Sequence, residues 1–299
     1  FVDAQICLEN TYVHIAENGQ ENMVLCCDFL ALRLALCTEL SLSYTIAERR
    51  KELLRRHNIT WVTLFDSVCA YYYALSGQIT QIPVLFREHQ LSTVNFLAPG
   101  KPMMELIENQ VYLAQQEYAK VIGRSEGLLA VCEAMHYALV ALHVQIQTAA
   151  AYECLGKRTE ARNCLKRALQ IALPDQFYLP FVENYEYLEE LLQREIQTAD
   201  AAEHVFLTKV TELGKNCQKR YGALRKTHMF PKIAAELTEQ EQRIIELLAE
   251  RLSNREIAEK LFLSEGTIKQ YINRIYAKLQ ISGDVRTKRR QLIELLTAE

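Results

Sequence analysis

Three closely spaced helix starts near the C-terminus constrain the fold of this chain more than any other feature. Thr238 and Glu241 have the spacing of a capping box, in which the hydroxyl accepts a hydrogen bond from the third helical amide and the carboxylate accepts one in return. Ser253 and Glu256 repeat this pattern, and Ser264 can cap a further helix. Three short helices are therefore predicted in succession.

The second and third of these helices have the spacing of a DNA-binding motif. They are predicted at about 254–261 and 265–279, which leaves residues 262–264 as their connection. A three-residue turn between two short helices is typical of a helix-turn-helix. Hydrophobic staples support both starts by pairing Leu252 with Ile257 and Leu263 with Ile268. The arrangement predicts binding to double-stranded DNA.

The third helix has an apolar side and a polar side. The apolar residues, which recur at helical spacing, are Ile268, Ile272, Ile275 and Leu279. The opposite side carries Gln270 and Asn273, flanked by Lys269 and Arg274. Gln and Asn can pair with adenine edges, whereas Lys and Arg can bind guanine or phosphate. These four residues are predicted DNA contacts, and the alternative is an amphipathic helix whose polar side is only solvated.

The stretch from Leu237 to Leu279 closely resembles the LuxR-type, also called NarL/FixJ-type, DNA-binding domain. The matching residues lie at 237–238 with Glu241, and at 248–249, 253–258, 264–269 and 273–279. The resemblance implies a module of four helices, whose third helix enters the major groove and whose fourth often mediates dimerisation. The positions that it implies to face DNA are Ser264, Thr267, Lys269, Gln270 and Arg274.

The chain departs from the family pattern at three places. Arg251 stands where the family usually has a glycine that ends the first helix, and Tyr271 replaces a frequent histidine. The segment 280–286 is slightly longer than the commonest version. These departures concern base preference and the path into the fourth helix rather than the predicted fold.

Charge is distributed unevenly along the 299 residues, whose formal net charge is −3. Residues 1–213 contain 17 Lys and Arg against 26 Asp and Glu, whereas residues 214–299 contain 17 against 11. A basic end on an acidic body fits a nucleic-acid-binding module attached to a body that does not bind DNA. Glycine and proline are scarce and alternating β-branched runs are nearly absent, so the whole chain is predicted to be all-α.

The acidic body is predicted to be a tetratricopeptide-like helical solenoid. Residues 149–168 have the alternation of small and large residues found in such a repeat, and Gly123 precedes Gly156 by an offset of 33 residues. A non-repeating helical bundle is the alternative. The predicted domains are a helical sensor or interaction domain at 1–212, a basic linker helix at 213–234 and the helix-turn-helix domain at 235–299.

Stacked helix pairs leave a concave surface that can bind peptides, proteins or small ligands. The aromatic residues from Trp61 to Tyr73 could line such a surface or simply fill the core. Breaks in the array are predicted at 91–102 and 174–180, where proline and glycine cluster. An unknown small-molecule inducer or protein partner is expected on this body.

The combination resembles the C-terminal part of the large ATP-binding LuxR-type regulators of the maltose-regulon-activator kind. In those proteins a nucleotide-binding domain precedes the superhelical sensor and the DNA-binding domain. The sequence Pro99-Gly100-Lys101 lacks the earlier glycine and the following hydroxyl residue of a phosphate-binding loop. We therefore expect either a piece of a longer regulator or a member without the ATPase, with no cofactor in this chain and ATP only through an upstream domain.

No motif for catalysis or metal binding is found among the seven histidines and nine cysteines. The cysteines are predicted to be small buried side chains in a reducing cytoplasm, with a redox pair at Cys26 and Cys27 as the alternative. Neither a signal peptide nor an apolar run long enough for a membrane span is found. The prediction is a cytoplasmic, bacterial-type, non-enzymatic transcription regulator that binds operators as a homodimer. The alternative is a protein-interaction scaffold whose terminal module mainly dimerises.

Overall fold

Helices make up all the regular structure in the part of the chain that a computed structural model describes, as predicted for an all-α chain. The described residues are 1–20, 23–38, 45–56, 59–96, 98–249, 252–279, 281, 287–289 and 292. The chain divides into two units, Phe1–Tyr221 and Gly222–Glu299. The finer domain limits at 212/213 and 234/235 stay predictions.

The Phe1–Tyr221 unit is a succession of helices. Its first part contains α1 (Val2–Asn18), α2 (Val24–Cys37), α3 (Ile46–Arg55), α4 (Ile59–Leu75) and the short α5 (Val84–Arg87). Its second part contains α6 (Lys101–Ala114), α7 (Tyr118–Ala134), α8 (Ala138–Cys154), α9 (Arg158–Ala172), α10 (Leu179–Glu183), α11 (Tyr185–Ile196) and α12 (Ala201–Glu236), which contains the boundary between the units. Both predicted breaks fall at interruptions between helices, because 3-10 turns precede α6 and residues 173–178 separate α9 from α10. The last two residues of each predicted break, 101–102 and 179–180, are already helical.

One repeated turn closes the hairpins between α6, α7, α8 and α9. Gln116, His136 and Gly156 have left-handed backbones, with φ of 63°, 56° and 72°, and follow one another at intervals of 20 residues. In each turn the next amide donates to the carbonyl five positions before it, at 2.8 to 2.9 Å. This hydrogen bond belongs to a Schellman motif, which satisfies the last carbonyls of a helix.

The prediction that Gly123 and Gly156 are equivalent turn residues of successive repeats, 33 residues apart, is wrong. Gly123 lies inside α7, and the turn before Gly156 is at His136. The hydrogen bonds of the Schellman motif hold His136, a residue other than glycine, in the left-handed region. The position of a glycine therefore did not indicate where this turn lies. The pair α6 and α7 turns at Gln116 and the pair α8 and α9 turns at Gly156, so successive helix pairs are 40 residues apart. The assignment to tetratricopeptide-like repeats stays a prediction.

The interior of the helical array lies around α6 and α8, which are buried on nearly all sides. α8 contacts α6, α7, α9, α10 and α11. Buried amides link α8, α6 and the junction between α10 and α11: Gln147 Nε2 donates to Gln110 Oε1 at 2.9 Å, and Gln110 Nε2 donates to Asn184 Oδ1 at 3.0 Å. Most of α8 is therefore core rather than an open binding surface.

The aromatic side chains of α4 belong mainly to the core. Phe65, Tyr71 and Tyr72 are buried, whereas Trp61 and Tyr73 are half-buried. Of the two interpretations of this aromatic helix, the buried positions favour core packing. Because Trp61 is the only tryptophan of the chain, its fluorescence reports on the Phe1–Tyr221 unit alone.

A buried ion pair connects α2 with α10. Arg33 donates through Nε and Nη2 to the two carboxylate oxygens of Glu183, at 2.6 and 2.9 Å. Tyr71 of α4 donates to Glu183 Oε2 at 2.9 Å, and its ring lies edge-on to His143 of α8. Burial, helped by the charge of Arg33, holds the pKa of His143 well below its ordinary value. A neutral imidazole therefore lies beside one paired charge in the middle of four helices.

Five of the nine cysteines are buried, namely Cys27, Cys69, Cys132, Cys164 and Cys217. Burial is the main cause that raises the pKa of Cys69, so this thiol stays protonated at neutral pH. The prediction of small buried side chains is met by these five. Cys26 is exposed although its neighbour Cys27 is buried.

Gly214 of α12 gives the first testable prediction. A Cβ at this position would lie 2.5 Å from Cδ2 and 2.8 Å from Cβ of Tyr185, which is itself buried. We expect Gly214→Ala to lower the free energy of unfolding by about 1–3 kcal/mol, because the tyrosine ring must move. Urea unfolding followed by Trp61 fluorescence measures the change.

Gly127→Ala is the control for this prediction. Gly127 is an exposed residue inside α7, and its added Cβ would meet no atom within 4 Å. Alanine there should stabilise the unit by about 0.5–1 kcal/mol through helix propensity. Equal effects of the two substitutions would contradict the close packing of α12 on Tyr185.

Candidate nucleic-acid interface

In the described part of the Gly222–Glu299 unit, α12 is followed by α13 (Glu239–Ala249), α14 (Asn254–Leu261) and α15 (Glu265–Lys278). The last two agree with the predicted 254–261 and, within one residue, with 265–279. Both predicted capping boxes form. Ser253 Oγ accepts from the Glu256 amide at 3.3 Å, and Glu256 Oε2 accepts from the Ser253 amide at 2.7 Å. Hydrogen bonds to the Glu256 carboxylate from the Ser253 side chain and from the Ser253 backbone amide hold the pKa of Glu256 below its ordinary value.

The start of α15 is built from two hydroxyls. Ser264 Oγ accepts from the Thr267 amide at 3.0 Å and lies 2.8 Å from Thr267 Oγ1. Ser264 is exposed and Thr267 is half-buried. Both residues therefore shape a helix N-terminus, whose free amides and dipole favour a bound phosphate.

The turn between α14 and α15 contains a fully exposed phenylalanine. Phe262 has φ of 54° and is 95% exposed. The amide of the next residue, Leu263, donates to the carbonyl of Ala258 at 3.0 Å, and the Leu263 side chain packs against the core of the unit. The three-residue connection predicted at 262–264 is confirmed.

Three isoleucines determine which side of α15 faces inwards. Ile268, Ile272 and Ile275 are buried in one cluster with Leu248 of α13 and Ile257 of α14. Leu279, the fourth residue of the predicted apolar stripe, is half-buried against the same cluster. The predicted inner side of the third helix is therefore correct.

A buried carboxylate connects the end of α15 to the start of α13. Lys278 Nζ donates to Glu241 Oε2 at 2.7 Å, and the Thr238 amide donates to the same oxygen at 2.8 Å. Burial of Glu241 raises its pKa, but the hydrogen bonds from Lys278 and Thr238 outweigh that effect and hold the pKa below its ordinary value. The capping carboxylate of α13 thus also holds α15 in place.

The outer side of α15 brings together four of the predicted contact residues. Lys269, Gln270, Asn273 and Arg274 are all exposed. Ser264 and Thr267 lie at the N-terminal end of the same helix. An exposed helix side with two amides and two cations, anchored by an apolar inner side, has the chemistry required to contact base edges and phosphates.

Two contacts on this side were not predicted from the sequence. Lys269 Nζ lies 3.0 Å from Glu265 Oε1, and the guanidinium of Arg274 lies over the ring of Tyr271, 4.7 Å from its centroid. Their spacings of four and three residues are the ones at which helical side chains meet, so a pairwise search of the helix could have found both.

Arg289, a basic residue beyond α15, has a structural contact that local spacing could not predict. It donates to Asn254 Oδ1 at 2.6 Å and to the Leu252 carbonyl at 2.5 Å. It therefore fixes the chain at the start of α14. Residues 287–289 and Leu292 are helical, and the rest of the predicted fourth helix lies outside the described residues. Arg251 also lies outside them, as does the segment 280–286 with the exception of Ile281.

Among the described residues, no three His, Cys, Asp or Glu side chains are arranged to hold a metal ion. Within the same ranges, no helix is both long enough and apolar enough to cross a membrane.

Comparison with known proteins identifies the domain that carries this interface. Residues 235–289 match the profile of the family described as bacterial regulatory proteins, luxR family. This C-terminal domain is a LuxR-family helix-turn-helix. The match covers the two capping boxes, the turn and the whole of α15. This match concerns residues 235–289, so the maltose-regulon-activator subtype stays a proposal.

Three similar proteins are regulators from bacteria. The DNA-binding transcriptional activator DevR/DosR of Mycobacterium tuberculosis is 49% identical over 43 residues, which are 14% of this chain and 20% of that protein. The transcriptional regulatory proteins YxjL and LnrK of Bacillus subtilis are 34% identical over 90 residues and 41% identical over 51. These matches cover 30% and 17% of this chain, and 39% and 23% of the two relatives. No solved structure matches the chain significantly.

Proposed function

We propose that this chain is a DNA-binding transcription regulator that contacts duplex DNA through the outer side of α15. The observation that carries the proposal is the exposed row of Lys269, Gln270, Asn273 and Arg274 on α15 of a LuxR-family domain, opposite the buried isoleucines of the same helix. Such a helix fits the major groove, which admits one α-helix. DevR/DosR, a relative over this region, is itself a DNA-binding transcriptional activator.

The residues have different proposed roles. Lys269 and Arg274 bind phosphate or guanine, and Gln270 and Asn273 bind base edges. Ser264 and Thr267 hold the N-terminus of α15 close to a backbone phosphate. Lys269 exchanges its ion pair with Glu265 for a phosphate, which is favourable because the pair is exposed and therefore weak.

The direct test measures binding of the full chain to a labelled duplex of mixed sequence at several salt concentrations. We expect Lys269→Ala to weaken binding to all sequences and to reduce the slope of log K against log salt by about 0.9 for each phosphate contact removed. The control is Lys209→Ala, which removes another exposed lysine that is also paired with a glutamate of its own helix, but in the other unit. Similar losses in both variants would argue against a specific contact at Lys269.

Gln270→Ala should change base preference rather than overall affinity. Truncating an amide that pairs with an adenine edge costs about 1–3 kcal/mol of discrimination at one base pair. Selection of binding sites from a random duplex pool, followed by sequencing, should show one position that becomes degenerate. Identical selected sites for the variant and the unaltered chain would exclude this role.

The proposal extends to the assembly and the setting of the protein. The LuxR-family domain supports a homodimer on two half-sites, a cytoplasmic location and action without enzymatic activity. The acidic helical unit before it supports a relation to the large regulators of the maltose-regulon-activator kind. If the full chain binds no duplex at low salt, although circular dichroism reports folded helices, the scaffold function is favoured instead.

The Phe1–Tyr221 unit is proposed to sense a small ligand or a protein partner. A cavity of about 690 Å³ between α3, α4 and the segment 80–90 supports a small ligand, since pockets for such molecules have similar volumes. Arg50 and Asp66, joined through two hydrogen bonds of 2.7 and 2.9 Å, lie in its wall. Thermal unfolding followed by Trp61 fluorescence, with single sugars, amino acids, nucleotides and carboxylates added in turn, tests this proposal. A ligand at 100 times its Kd stabilises by about 2.7 kcal/mol.

A further inference from the structure

The guanidinium of Arg274 is held by an aromatic ring rather than by a carboxylate. Its Cζ lies 4.7 Å from the ring centroid of Tyr271, three residues earlier on α15. Arg274 is exposed, whereas Tyr271 is half-buried and packs against the core of its unit. Among the described residues Lys269 has Glu265 as an ion-pair partner, but no ion pair involves Arg274. The ring of Tyr271 is therefore held by the core, whereas the Arg274 side chain is exposed.

This geometry leaves the hydrogen-bonding capacity of the arginine unused. A guanidinium stacked on a ring is attracted to the π-face, while its N–H donors lie in the guanidinium plane and remain free for a phosphate or a guanine. An arginine paired with a carboxylate would first have to break that pair. A long side chain that is already held in position also loses less rotamer freedom when it binds.

We propose that Tyr271 is a positioning residue for DNA binding, which presents the Arg274 guanidinium to DNA through its ring face. The inference rests on the proposed function and deepens it, because it adds a residue that acts through Arg274. It assigns a role to a position where this chain departs from the usual histidine of LuxR-type domains. The ring, and not the hydroxyl, carries the effect.

A double-mutant cycle in the full chain tests the inference with the same mixed-sequence duplex. Tyr271→Leu and Tyr271→Met fill most of the space but remove the π-face, and each should weaken binding about two- to fivefold per domain. Tyr271→Phe retains the ring and should bind within twofold of the unaltered chain. In an Arg274→Ala background the leucine and methionine substitutions should cause no further loss, because the group that the ring positions is gone.

The outcomes separate this inference from the function on which it rests. Equal losses from Tyr271→Leu or Tyr271→Met with and without Arg274 would overturn it, because the tyrosine would then act through packing alone. A Tyr271→Phe variant as weak as the leucine variant would overturn it too. Circular dichroism shows which of the leucine and methionine variants keeps its helices, and that variant is used in the cycle. If neither variant is folded, the binding of Tyr271→Phe compared with that of the unaltered chain decides. If the unaltered chain binds no duplex, the proposed function and this inference both fail.

Discussion

Replacing Glu183 with glutamine is expected to lower the free energy of unfolding of the Phe1–Tyr221 unit by about 3–5 kcal/mol. The Glu183 side chain is fully buried, and that of Arg33 is 11% exposed. Glutamine keeps the size of the side chain but removes the charge that balances Arg33, so a cation remains inside the unit without its anion. Loss of a buried partner is among the most destabilising single changes in a protein, because few water molecules can replace it.

Urea unfolding followed by the fluorescence of Trp61 measures this effect in the correct unit. The matched control is Glu190→Gln, which removes the same charge from the same unit. The Glu190 side chain is 79% exposed and lies 3.8 Å from Arg194, so its substitution should change the free energy of unfolding by less than about 0.5 kcal/mol. A Glu183 variant as stable as this control would mean that the buried pair contributes no net stability.

Truncation of Ile268 to alanine is expected to destabilise the Gly222–Glu299 unit by about 2–5 kcal/mol and to abolish duplex binding near physiological temperature. Ile268 is 0% exposed in a core that three short helices share. Small domains have little stability to lose, so a cavity at this point removes a large share of it. DNA binding then fails because the outer side of α15 exists only while its inner side is packed.

The location of the single tryptophan makes this prediction selective. Ile268→Ala should reduce helical circular dichroism and duplex binding, but leave the Trp61 transition of the other unit unchanged. Lys269→Ala, at the next position on the exposed side, should weaken binding without loss of helix. If the Ile268 variant keeps its affinity at 37 °C, the isoleucine row does not hold α15 in its binding conformation.

The helix-turn-helix was predictable from the sequence because its signals are local. A capping box depends on two residues three positions apart, and the structure forms the box at Ser253 and Glu256 as predicted. The period of the isoleucines then identified the inner side of α15, since burial follows helical spacing. The same local logic failed at Gly123, because glycine is compatible with a turn but does not require one.

Contacts between residues distant in the chain could not be predicted from local spacing. Arg33 and Glu183 are 150 residues apart, and no spacing rule connects them. Arg289 and Leu252 meet only because the chain returns to the start of α14. Even within α15, the spacing allows several pairs, and only the side-chain positions reveal that Arg274 lies on Tyr271 while Lys269 pairs with Glu265.

The sequence by itself determined the helical class of the chain, the starts of its C-terminal helices and the side of α15 that faces outwards. Each of these follows from residues within a few positions of one another, where backbone geometry leaves few choices. The tertiary structure alone decided that His136 forms a turn, that α8 is core and which charges are paired inside the helical unit. These properties depend on which distant parts of the chain pack against each other and exclude water. Such contacts exist only in the folded unit.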